Sequence, residues 1–73
     1  MPRFHFHLCK ENLSLSAVAE EVPGKAMAIT TAQGMARELL VDIEGGWSSA
    51  RIEVADEHGD VVSIVHVSDC WLQ

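Results

Sequence analysis

The chain has no tyrosine, and only two phenylalanines and two tryptophans among its 73 residues. Aromatic stacking can therefore supply little of its core. Two prolines and five glycines are too few and too scattered for a collagen-like, proline-rich or glycine-rich linker chain. Basic residues are also scarce, with five Lys and Arg against eleven Asp and Glu and a net charge of −6. Arg3, Lys10, Lys25, Arg37 and Arg51 nowhere form a cluster. Nucleic-acid affinity rests on Lys and Arg neutralising phosphates, so direct binding to DNA or RNA is not expected. Anionic membrane surfaces would repel the chain for the same reason. No run approaches the ~20 apolar residues of a membrane span. The start Met1-Pro2-Arg3-Phe4-His5 lacks the apolar segment of a secretory leader. The expected address is the cytoplasm, where Cys9 and Cys70 would stay reduced. No catalytic or cofactor motif is legible, so no cofactor is implied.

Hydrophobic residues make up 48% of the chain, too many for a disordered segment. Its length fits one domain, residues 1–73, with a thin core. Below about 80 residues a single core rarely contributes more than ~3–5 kcal/mol, and such domains often recruit a staple, a metal or a second subunit.

Period-2 alternation marks residues 3–9 as a strand, with Phe4, Phe6 and Leu8 on one face and Arg3, His5, His7 and Cys9 on the other. Residues 10–24 are less legible. Leu13, Leu15 and Ala17 alternate with Ser14 and Ser16, which points to a short strand somewhere in 12–22 before the break at Pro23-Gly24. Ala28, Ala32, Met35, Leu39 and Ile43 recur at helical spacing, widened by Ile29, Ala36 and Leu40, and predict a helix from about Lys25 to Ile43. Gly34 inside it suggests a close approach to the sheet, and Gly45-Gly46 supplies a left-handed stop. Arg51, Glu53 and Ala55 alternate with Ile52 and Val54, and a β-branched strand follows from Val61 to Val67. The loop between them, Asp56-Glu57-His58-Gly59-Asp60, fits a type I turn closed by a left-handed glycine. The tail from Ser68 to Gln73 reads as short and irregular. The expected architecture is α+β, β-β-α-β-β, with one helix on one face of a small antiparallel sheet.

Three segments carry a family resemblance. They are Pro2-Arg3-Phe4-x-Phe6-His7, the helical Ala36-Arg37-Glu38-Leu39-Leu40, and Ile52-Glu53-Val54-x-Asp56-Glu57-x-Gly59-x-Val61-Val62. Together they resemble a family of small alphaproteobacterial domains of unknown function, over roughly residues 2–70. The resemblance implies a β-β-α-β-β fold and brings no catalytic or ligand-binding residue with it. Where such domains have an acidic, glycine-containing turn before the helix, this chain has Ser16-Ala17-Val18-Ala19.

Two sets of residues are candidates for function. His5, His7 and Cys9 share one face of the first strand, while His66 and Cys70 lie on or just after the last. If those strands were neighbours, imidazoles and thiols could converge as tetrahedral metal ligands. The spacing matches no established zinc signature, and the plainer reading is a set of polar residues facing solvent. The same histidines could also form a pH-responsive surface. A Cys70–His66 nucleophile pair has no oxyanion-forming turn or cleft beside it. The second set is apolar. If Val61, Val65 and Val67 face the helix, Val62 and Ile64 face away with no layer to cover them. Trp47 and Trp71 would extend that surface. The leading expectation is a non-enzymatic interaction domain that self-associates through the sheet face or edge. A His/Cys metal-binding domain is the alternative, and a regulatory partner of nucleic-acid-binding proteins has only acidity in its favour.

Overall fold

The computed structural model describes residues 2–40 and 46–72, except for the side chains of Ser48, Trp71 and Leu72. Four strands form one antiparallel sheet: β1 (Arg3–Lys10), β2 (Leu13–Glu21), β3 (Ala50–Ala55) and β4 (Val61–His66). Their spatial order is β2-β1-β3-β4. Among the described residues there is one α-helix, α1 (Lys25–Leu40), between β2 and the second hairpin, and 3-10 turns span Trp47–Ser49 and Val67–Leu72. This is the small α+β arrangement, β-β-α-β-β, that the alternation and helical spacing predict. Ile43 and Gly45, assigned by sequence to the last helical turn and its stop, lie outside the described residues.

Alternation in β1 sorts its side chains as expected. Phe4 and Phe6 are buried beneath the helix side and Leu8 packs against them. The matching positions on β3, opposite Phe6 and Leu8, are Val54 and Ile52. Val54 and Val67 are the largest fully buried side chains. The helix meets this layer through Ala28, Ala32 and Ala36, all at 0% exposure. Their spacing of four makes one narrow stripe of small residues. The centre of the buried stripe is therefore Ala28-Ala32-Ala36, with Met35, Leu39 and Leu40 only partly buried along its flanks.

The C-terminal segment is not an irregular tail. Val67 and Cys70 sit in the core cluster, and α1 packs more extensively against this last 3-10 turn than against any strand. Among the strands, α1 packs mainly on β4 and β3. It leaves β2 bare, with all nine of that strand's residues exposed.

Turn chemistry fixes both hairpins. Glu11 adopts a left-handed conformation, φ 57°, between β1 and β2. Its carbonyl oxygen accepts a 2.8 Å hydrogen bond from the Arg51 guanidinium. In the second hairpin the Gly59 N–H donates to the Asp56 carbonyl at 3.0 Å. The Asp56 carboxylate accepts from the backbone N–H groups of His58 and Asp60. Gly59 has φ 89°, as the type I turn followed by a left-handed glycine requires.

Gly34 does not mark a close approach. A Cβ built there meets nothing within 4 Å, so its lack of a side chain serves no contact. The same substitution at two glycines should then act in opposite directions. Gly34→Ala is expected to raise stability by about 0.5–1 kcal/mol, through better helix propensity and a less flexible unfolded chain. Gly59→Ala is expected to lower it by about 1–2 kcal/mol, because a Cβ opposes the left-handed backbone. Chemical denaturation of the two variants beside the parent checks both signs.

Candidate functional site

The five His and Cys candidates fall on two sides of the sheet. His5, His7 and Cys9 face away from the helix, opposite Ala55, Glu53 and Arg51 of β3. His66 pairs with Arg51, so β3 separates it from Cys9 by two strand spacings, roughly 9–10 Å. Cys70 is buried on the other side, in the core beneath the helix. Its thiol lies 3.9 Å from the His66 carbonyl oxygen and 4.0 Å from that of Gln33. The His5 and His7 rings are 6.4 Å apart between centroids. Among the described residues, no three His, Cys, Asp or Glu side chains are placed to share a metal ion. The two cysteines are buried and free, with the sheet between them.

The face away from the helix is mostly polar. Arg51 donates to Glu53 at 2.9 Å, and Arg3 lies 3.5 Å from Glu21. These pairs sit among His5, His7 and His66. Ile64 belongs to this face, opposite Glu53, and is 47% exposed. Val62 does not: it packs against the core. The reason is a bulge between Val54 and Ala55, which shifts the β3–β4 register so that Ala55 pairs with Val61. One extra residue reverses the expected faces at the start of β4, leaving Val61 exposed and Val62 half-buried. Trp47 is also drawn inward against the core. The side chain of Trp71 lies outside the described residues. A continuous apolar surface of Val62, Ile64 and Trp47 is therefore not present.

The apolar surface lies instead along β2. Leu13 is 63% exposed, and Leu15 and Val18 are each 47% exposed. Register places Ser16, Val18 and Glu20 on the helix side, opposite Leu8, Phe6 and Phe4. Because α1 stops short of this strand, an open groove of about 150 Å³ separates them. Met35 and Leu39 form its helical wall, Ser16 and Val18 its strand wall, and Phe6, Leu8 and Ile52 also line it. The strand's outer edge is unpaired, because β2 ends the sheet. Sequence reading missed this surface by attending to the face of β4. The available signal was the run Leu13–Ala19, which carries no charge.

No helix among the described residues is long and apolar enough to cross a membrane. No curated protein matches the chain, and no solved structure does. Residues 3–68 match one family model. The chain belongs to that family, a domain of unknown function (DUF6894).

Proposed function

We propose that this domain is a non-enzymatic interaction module that joins a second copy of itself through β2. The observation supporting this is an edge strand of nine residues, exposed throughout, with no charge and no proline between Leu13 and Ala19. Soluble proteins commonly guard such edges with lysine, proline, extreme shortness or a covering loop. Here the edge carries a bulge near Leu15 and two glutamates confined to its C-terminal end, and the stretch between them has no such device. Exposed leucine and valine beside an apolar groove add a driving force for burial. A small core gives association a further value, because a partner shields surface that the single helix cannot reach. Free thiols on opposite sides of the sheet suit a reducing compartment, and the cytoplasm is the address this reading assigns.

Light scattering on the eluting protein tests the proposal. The parent chain should show a mass near twice 8.0 kDa at high concentration and fall toward the monomer on dilution. Val18→Lys should be monomeric throughout, with an unchanged circular dichroism spectrum, since an edge lysine opposes strand pairing. A parent that stays monomeric at every concentration would overturn the reading.

A further inference from the structure

Resting on self-association through β2, we infer that the two copies pair antiparallel about a two-fold axis passing beside Val18. The hydrogen-bonding phase of β2 comes first. The Val22 N–H donates to the Pro2 carbonyl at 3.1 Å, one step beyond the Arg3–Glu21 pair. In an antiparallel ladder, bonded and non-bonded pairs alternate. Glu20, Val18 and Ser16 therefore turn their amides inward to β1, while Ala17, Ala19 and Glu21 turn theirs outward. The bulge between Leu8 and Cys9 of the β1 register interrupts that phase at Leu15. The regular free edge is Ser16–Glu21.

Charge then selects the direction. Both acids of β2, Glu20 and Glu21, sit at its C-terminal end. Parallel pairing would set them beside their own copies, and like charges placed directly opposite are unfavourable. Antiparallel pairing sends them to opposite ends. A two-fold interface of this kind is the commonest form of self-assembly. It also keeps both helices on one side of a continuous eight-stranded sheet.

Register follows from three possible centres. Centring on Ala19 sets each Glu20 against the partner's Val18 and brings the two Glu20 side chains into diagonal contact. Centring on Ala17 throws the flanking bonded pair, Ala19 with the partner's Leu15, into the bulge. Centring on Val18 does neither. Ala17 and Ala19 then exchange hydrogen bonds with Ala19 and Ala17 of the second copy. Val18 meets Val18 on the helix side, and each Glu20 carboxylate faces a Ser16 hydroxyl that can donate to it. Val18 lines the groove in each copy, so the two grooves join into one apolar trough along the axis.

Cysteine cross-linking reads the register. Val18 would form a non-bonded pair with its copy, at about 4.5 Å between Cα atoms, within the roughly 4.4–6.8 Å that a disulfide spans. Ala17 and Ala19 would each lie diagonal to their own copies, at about 7–8 Å. Val18→Cys, Ala17→Cys and Ala19→Cys are compared in the full chain under mild oxidation, with the parent and its two buried thiols as blank. Light scattering of the reduced samples runs alongside. Val18→Cys should yield roughly fivefold more disulfide-linked dimer than either alanine variant. A dimer in which Ala17→Cys or Ala19→Cys links best overturns the register and leaves self-association through β2 standing. A dimer in which none of the three links overturns β2 as the contact. Monomeric reduced samples, parent included, overturn both.

Discussion

One helix about 10 Å across lies on four strands spaced about 4.8 Å apart, and it can blanket only about two of them. Everything distinctive about this domain follows from where that helix sits. It settles over β3 and β4 and against the final 3-10 turn, with an alanine stripe at the contact. Small side chains bring the helix axis near the layer below, and Val54, Val65 and Val67 fill the contact. The gain in closeness is a loss in reach. Longer side chains at Ala28 and Ala32 would have raised the helix and spread its cover toward β1 and β2.

The uncovered strand is the consequence. β2 is joined to β1 by a full antiparallel ladder, so its backbone is well held. Its side chains contribute little to the core, because every one of them is exposed. Folding alone therefore asks little of this strand's apolar residues. Alternating serine or threonine would satisfy the ladder equally and would be safer against edge-to-edge pairing. Leucine at 13 and 15 and valine at 18 are exposed in the isolated fold, and the proposed association rests on that surplus. The opposite face of the sheet has a smaller surplus. Its exposed Val61 and Ile64 stand beside His5, His7, Arg51 and Glu53, and a few scattered apolar residues are ordinary on any surface.

What could be read from sequence was whatever depended on local period or local turn chemistry. Phe4, Phe6 and Leu8 declared one face of β1 because alternation is a property of the strand itself. Gly59 declared its turn because the left-handed region belongs to glycine almost alone. The failures all involve distances along the chain that no local pattern encodes. A bulge at Val54/Ala55 exchanged the faces of Val61 and Val62, since a shift of one residue inverts a period of two. Strand order set β3 between Cys9 and His66, and the turn after β4 carried Cys70 to the helix side; both are settled by packing. Cys70 read as part of a tail, and Val67 as the end of a strand, because six residues of 3-10 turn carry no periodic signal of their own. β2 was legible as a strand from its Leu/Ser alternation, but not in its register, because the bulge near Leu15 has no signal in that pattern.

The groove and the free edge are not two separate features. Val18 contributes its side chain to the groove wall and stands at the middle of the regular outer edge. A strand laid along that edge would carry side chains over the groove in the same step that satisfied the outward amides of Ala17 and Ala19. Backbone pairing alone gives little selectivity, since any extended chain offers the same donors and acceptors. Apolar contact alone gives little geometry, since it has no direction. Coupling them at one residue makes the fit depend on both spacing and side-chain size. The small alanines on the outward positions leave the far side of the sheet flat beside His5 and His7, so an added strand meets no steric bar there. Selection of a partner would then fall to the helix side, where Val18, Met35 and Leu39 set the width available and Glu20 sets the charge at one end.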